Sequence, residues 1–197
     1  MHKNIAVLAG DGIGPEIITE AIKVLQAVAE KYHHSFTYEH ALMGAVAIDE
    51  TGNPLPDKTL EICKSSDAIL FGAIGDPKYD NDPNAKVRPE QGLLALRKAF
   101  NLFCNVRPVT IYDSLIDSSP LKRNRIEGVD LVIYRELTGG IYFGEKKEMN
   151  DKGVASDLCT YSKEEILRVA HLAFKAAGKR KNKLTLVDKA NVLASSR

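Results

Sequence analysis

The feature that most restricts the fold is an apolar run, a glycine-rich turn and an amphipathic helix in immediate succession. Ile5-Ala6-Val7-Leu8 has no polar alternation and reads as a buried strand. It runs into Gly10-Asp11-Gly12-Ile13-Gly14-Pro15-Glu16, after which Ile18, Ala21, Ile22, Leu25, Val28, Ala29 and Tyr32 fall on one helical face. Pro15 suits a first helical position and Glu16 the positive end of the helix. The same alternation returns downstream. Phe36 to His40 reads as a second strand, Leu55-Pro56-Asp57 opens a helix through Ser65 with Asp57 as N-cap, and Ala68 to Gly72 reads as a third strand. Strands separated by helices predict an α/β fold, a largely parallel sheet with flanking helices. The turn is not a dinucleotide fingerprint, because the last glycine of G-x-G-x-x-G falls on Pro15. Glu16 also puts negative charge where a pyrophosphate belongs.

The second half is patterned differently. Residues 75–89 are polar and rich in Asp, Asn and Pro, a loop length that marks a lid or a disordered segment. An amphipathic helix follows over residues 88–98, then an extended Phe103 to Val109, where Arg107 precedes a proline. A domain boundary is placed here, giving domains 1–102 and 103–197. Residues 113–127 read as a polar connection and Val132 to Arg135 as a buried strand. Thr138-Gly139-Gly140 breaks that strand, Ile141-Tyr142-Phe143 resumes an extended run, and Gly144 ends it. Val154 to Tyr161 is weakly strand-like. Ser162-Lys163-Glu164-Glu165 is a capping box, opening a helix with Ile166, Ala170, Ala173, Phe174 and Ala177 on one face. Leu184 to Asp188 reads as a last buried strand ending in Lys189.

Composition excludes several classes. With 27 basic and 26 acidic residues in 197, the net charge of +1 gives no reason to expect a polyanionic partner, whether nucleic acid or membrane. Hydrophobic content of 44% is that of a globular chain. Cys63, Cys104 and Cys159 are odd in number and widely spaced, which predicts reduced thiols in a cytoplasmic protein. The apolar start of the chain is too short for a signal-peptide core, and no later run approaches a membrane span.

The candidate chemistry centres on Arg135 and Tyr142. A guanidinium beside a phenol suits a site that binds a carboxylate and moves a proton. Arg97 and Arg107, like Arg135, are flanked by apolar residues, and three arginine forks would suit a dicarboxylate. Lys189, at the end of a buried strand, would have the depressed basicity of a proton acceptor. Taken singly, the stretch around Tyr142 is equally an ordinary hairpin, and each arginine is more readily a surface ion pair.

Together these stretches resemble the β-decarboxylating dehydrogenases, the family of isocitrate and 3-isopropylmalate dehydrogenases, and within it the isopropylmalate branch of leucine biosynthesis. The motifs are Gly10 to Glu16, Gly72-Ala73-Ile74-Gly75, Arg88 to Arg97, Asn105-Val106-Arg107-Pro108, Arg135 to Glu145 and Val187-Asp188-Lys189-Ala190-Asn191-Val192. The resemblance implies NAD-dependent oxidation and decarboxylation of 3-isopropylmalate to 2-oxoisocaproate, assisted by Mg2+ or Mn2+. Arg97, Arg107 and Arg135 would clamp the malate carboxylates, Tyr142 would protonate the enolate, and Lys189 would assist hydroxyl deprotonation in the partner subunit of a homodimer. Ile13, Pro77, Lys78, Tyr79, Glu90 and Asn191 would border the nicotinamide. Glu90, Leu93 and Leu94 would meet the substrate's variable side, the leucines offering an apolar wall for an isopropyl group. The stretch Ile141 to Glu145 would lie at the dimer contact. No metal ligand is expected within the chain, because the family's metal-binding aspartates lie beyond Arg197; the chain resembles an N-terminal portion, inactive by itself. The competing readings are another decarboxylating dehydrogenase of isocitrate, homoisocitrate or tartrate type, and a non-catalytic dicarboxylate-binding or dimerising module.

Overall fold

The computed structural model describes residues 1–82 and 85–196. It divides into two compact units, Met1–Phe100 and Asn101–Arg197. Pro83 and Asn84, within the expected lid, lie outside the described residues.

The first unit is built on three strands, β1 (His2–Gly10), β2 (Ser35–His40) and β3 (Ala68–Ala73), in the order β2-β1-β3 and parallel throughout. The parallel sheet with flanking helices is therefore observed, in this unit. Strand β1 is central, which explains its unbroken apolar sequence: both faces are covered. Ile5 and Val7 pack with Ile18 of helix α1 (Gly14–Tyr32), while Ala6 and Leu8 turn to the opposite layer with Met43, Leu55, Ile62, Cys63 and Leu96. That second layer comprises α2 (Ala45–Thr51), α3 (Asp57–Ser65) and α5 (Pro89–Ala99); the short α4 (Pro77–Asp80) precedes α5. Full burial of each such aliphatic side chain contributes roughly 1.5–3 kcal/mol. Helix α3 corrects one expectation. Its N-cap is Pro56 and makes no side-chain bond, and Asp57 is the first helical residue, where its charge still meets the helix dipole.

The second unit pairs β4 (Cys104–Thr110) with β5 (Asp130–Glu136), and this pair is antiparallel. A 3-10 turn (Asp113–Ser118) and α6 (Arg123–Ile126) occupy the stretch read as a plain connection. Helix α7 (Lys163–Gly178) covers one face of the sheet, and its capping box forms as expected. The Ser162 hydroxyl accepts from the Glu165 N–H at 3.2 Å, and the Glu165 carboxylate accepts from the Ser162 N–H at 2.7 Å. Its inner side overlaps the expected one. Ala170, Ala173 and Ala177 are half-buried as expected, together with Arg168, Val169, Leu172 and Ala176, whereas Ile166 and Phe174 are exposed. Arg168 lies on that inner side and pairs with Glu136, whose side chain is 6% exposed.

Two further expectations fail. Val132 to Arg135 is a strand, but its outer face is open and Ile133 is 48% exposed. Residues 184–188 form no strand; Leu186 and Val187 are 82% and 89% exposed. A β-rich sequence becomes a strand only when another strand accepts its ladder, and β4 and β5 pair with each other alone among the described residues. All three cysteines are free. Among the described residues no helix is long and apolar enough to cross a membrane.

Candidate functional site

In the first unit Gly10 and Asp11 stand at the carboxyl ends of β1 and β3, the end of an open parallel sheet where ligands usually sit. Gly10 turns at φ +74, and a Cβ there would collide with the Ala73 carbonyl. The sequence reading overlooked Asp11. Its carboxylate is only 6% exposed and accepts three backbone N–H groups: Ala45 at 2.8 Å, Val46 at 3.0 Å and Gly75 at 3.1 Å. One buried acid thus ties the turn after β1, the start of α2 and the loop after β3 into a single frame. The signal was available in the sequence as an acid between two glycines, a place with room for backbone donors but not for bulk.

Beyond this frame, the first unit carries five of the residues expected to border the nicotinamide: Ile13, Pro77, Lys78, Tyr79 and Glu90. Ile13 is 55% exposed at the head of α1. Gly12 lies against Gly75, and the Glu90 carboxylate lies 3.3 Å from where a Gly75 Cβ would be. Asp76 caps α4 by accepting from the Lys78 N–H at 3.0 Å, with Pro77 at the first helical position. Lys78 and Tyr79 both reach back to Asp49 of α2. Lys78 forms an ion pair with it, and the Tyr79 hydroxyl donates to it at 2.8 Å. The Lys78 ammonium lowers the Asp49 carboxyl below the usual carboxylate range and is itself raised by that bond; burial raises the Tyr79 phenol. Arg88 donates to the Tyr79 carbonyl at 2.7 Å. The described part of the loop is therefore anchored rather than free.

Helix α5 carries Glu90, Leu93, Leu94 and Arg97 at spacings of three and four, so they share a side. Glu90 is exposed; Leu93, Leu94 and Arg97 are half-buried, and Leu93 also packs against the core.

In the second unit Arg107 and Arg135 project from the same face of the β4–β5 sheet. Arg107 pairs with Ile133 and Arg135 with Asn105, so the two guanidinium-bearing positions are diagonal neighbours. This is the face that α7 leaves open, and both arginines are exposed rather than desolvated by apolar flanks. Arg107 donates to the Asn105 side chain at 2.7 Å. The Arg135 guanidinium lies 5.4 Å from the centre of the Tyr142 ring, within cation–π range. The structure thus brings Arg107, Arg135 and Tyr142 to one side.

Tyr142 is held on a turn, not on the expected extended run. The Glu136 carboxylate accepts the Thr138 N–H at 3.0 Å and the Gly139 N–H at 2.7 Å, bending the chain as β5 ends. Gly140 then adopts φ +76, and its carbonyl accepts from Phe143 and Gly144 at 3.3 and 3.0 Å, closing the 3-10 turn Gly140–Tyr142. Burial pushes the Glu136 carboxyl up, but the bonds from Gly139, Arg168 and Thr138 outweigh it and leave it below the usual range. Beyond the turn a hairpin of β6 (Lys146–Lys147) and β7 (Ser156–Asp157) exposes Met149 and Val154.

Lys189 and Asn191 are exposed in a turn whose Lys189 carbonyl accepts from Val192 and Leu193. The buried strand that was to desolvate Lys189 does not form, and no described bond joins either residue to Arg135 or Tyr142. Among the described residues no group of three or more His, Cys, Asp or Glu is placed to hold a metal ion.

Comparison with known proteins agrees with this architecture. The family model described as isocitrate/isopropylmalate dehydrogenase matches residues 4–197. The chain is 56% identical over 197 residues to 3-isopropylmalate dehydrogenase of Bacteroides fragilis, covering all of this chain and 55% of the relative. It is 53% identical to that of Bacillus subtilis, again covering all of this chain and 55% of the relative. Among solved structures, isocitrate dehydrogenase from Methylococcus capsulatus matches with TM-score 0.80 at 29% identity, over 100% of this chain and 54% of that one. A β-decarboxylating dehydrogenase from Thermococcus kodakarensis matches with TM-score 0.69 at 33% identity, over 100% of this chain and 51% of that one. The chain thus spans about half the length of the curated relatives it matches. The match over residues 4–197, with the parallel three-stranded unit beneath it, places this chain in the isocitrate/isopropylmalate dehydrogenase family.

Proposed function

We propose that this chain carries the carboxylate grip and the proton donor of an NAD-dependent 3-isopropylmalate dehydrogenase, a cytoplasmic enzyme of leucine biosynthesis. The observation that carries the reading is Arg135 over the Tyr142 ring at 5.4 Å, on the face shared with Arg107. Arginine forks bind carboxylates in two parallel bonds, and a guanidinium next to a phenol favours the phenolate left after proton donation. In this reading Arg107 and Arg135, with Arg97, hold the malate carboxylates. Tyr142 delivers a proton to the enolate carbon once carbon dioxide has left. Lys189, working in the partner's site, takes the hydroxyl proton, which its exposure in this chain permits.

Residues 1–102 are assigned to the cofactor side and 103–197 to the substrate and dimerisation side. The residues of the first unit suit the nicotinamide end of NAD: an exposed carboxylate at Glu90, the apolar Ile13, and the anchored Pro77, Lys78 and Tyr79. When bound, NAD supplies the hydride acceptor. The described residues do not fit Mg2+ or Mn2+ by themselves, since hard cations need several oxygen ligands and no such group is present. Leu93 and Leu94 offer apolar surface to the isopropyl group, and Glu90 closes that side. A homodimer is supported by the apolar surface of the second unit, where Ile141 and Tyr142 are 47% and 48% exposed and Met149 is 72% exposed.

The test is NADH formation by the protein as its gene encodes it, with NAD, Mg2+ or Mn2+, and either 3-isopropylmalate or isocitrate. A buried charge left without a polar partner costs several kcal/mol, so kcat/KM should favour 3-isopropylmalate by about 10²-fold or more. Equal efficiency on the two substrates, or none on 3-isopropylmalate, would remove the reading.

A further inference from the structure

We infer that the ion pair between Arg168 and Glu136 is a positioning device that sets the turn bearing Tyr142; this rests on the reading of Tyr142 as proton donor. Strand alternation divides the work of two adjacent residues. Arg135 points to the open face and meets Tyr142, while Glu136 points to the α7 face and is 6% exposed. From there its carboxylate accepts four bonds: the N–H groups of Thr138 and Gly139, the Thr138 hydroxyl at 3.1 Å, and Arg168 at 2.6 Å. Arg168 is fixed on its own side. Its Nη2 also reaches the Thr138 hydroxyl, its Nη1 donates to Asn101 at 3.2 Å, and its guanidinium lies 4.9 Å from the centre of the Phe103 ring.

The bonds are placed where they control direction. Gly139 N–H is the last amide that Glu136 holds, and Gly140 N–H is then taken by the Thr160 carbonyl at 2.8 Å. Tyr142 follows two residues later inside the turn closed on the Gly140 carbonyl. The turn has little room to relax, because side chains at Gly139 and Gly140 would meet Glu165 at 2.9 Å and the Tyr161 ring at 2.7 Å. The pair is part-buried, with the Arg168 side chain 29% exposed; desolvation offsets much of the attraction of such a pair, yet it imposes one geometry on what it touches. Here it touches the two residues that lead into the Tyr142 turn.

The experiment uses the protein as its gene encodes it, with Arg168→Met, Arg168→Lys and Glu136→Gln. Amide exchange is followed by mass spectrometry, and steady-state kinetics are run with 3-isopropylmalate. Arg168→Met should speed exchange across residues 138–144 by about 10-fold while β4 and β5 amides change less than about twofold. In turnover, kcat should fall about 10-fold with KM nearly unchanged, and Arg168→Lys should recover part of both effects. Glu136→Gln keeps the shape and one acceptor, so it serves if Arg168→Met does not fold, and should show the same local pattern. Unchanged exchange over 138–144, or a uniform rise throughout β4 and β5, would overturn the positioning role. Full activity of Tyr142→Phe would instead remove the proton-donor reading while leaving the exchange result standing.

Discussion

Replacing Asp11 by Ala is the sharpest test of how the first unit is held together. The substitution removes the acceptor for three N–H groups, those of Ala45, Val46 and Gly75, at 2.8–3.1 Å. Bonds to a charged acceptor contribute about 1.5–3 kcal/mol each, and a donor left buried keeps the full desolvation penalty. Ala45 is buried, so its whole loss counts; Val46 and Gly75 are half-buried and recover some hydration. Taking about 2 kcal/mol for the first and about 1 for each of the others gives about 4 kcal/mol. A domain of this size has about 5–15 kcal/mol in all, so the loss removes much of the stability of the unit. Asp11→Asn should cost about half as much. Oδ2 serves both Ala45 and Gly75, so an amide oxygen placed there keeps two bonds and presents its NH2 to Val46 alone. Urea denaturation followed by far-ultraviolet circular dichroism, with hydrogen exchange to locate the transition, measures both values. An Asp11→Ala loss under about 1 kcal/mol, or an Asn variant as damaged as Ala, would refute the argument.

Three other outcomes are expected. Glu136 has a carboxyl lowered in the folded state, so its contribution is present above the unfolded value near 4.5 and is lost as pH falls through the folded one; the urea midpoint should drop more on acidification for wild type than for Glu136→Gln. Asp49→Asn should loosen α4, seen as faster exchange over Pro77–Asp80, and raise the KM for NAD about two- to fivefold, in keeping with the modest strength of exposed ion pairs. The 197 residues purified alone should form no NADH above background with 3-isopropylmalate, NAD and Mg2+ or Mn2+, because no acid cluster among the described residues is placed to hold the ion.

What could be read from sequence was what depends on neighbours along the chain. Ile5 to Leu8 declares a covered strand by lacking any polar residue, and Ser162 with Glu165 declares a helix start, because both signals are complete within a few residues. What escaped depends on partners far away. Asp11 looked like an ornament of a failed fingerprint until Ala45, Val46 and Gly75 were brought to it from 34 to 64 positions away. Arg168 was invisible because its meaning lies in Glu136, 32 residues earlier. Leu184 to Asp188 has the composition of a strand but finds no ladder, so composition misled there. The arginines of the candidate site were legible as residues, and the shared face of Arg107 and Arg135 follows only from the register of β4 against β5.

The central claim is that Tyr142 moves a proton and that Arg107 holds substrate. It is tested most directly by measuring kcat and KM for 3-isopropylmalate in Tyr142→Phe and Arg107→Lys. Loss of the phenol hydroxyl with the ring retained should lower kcat by about 10²-fold or more at nearly constant KM. Exchange of a two-pronged guanidinium for a point charge should chiefly raise KM. A Tyr142→Phe protein with wild-type kcat, or an Arg107→Lys protein with wild-type KM, would contradict the account.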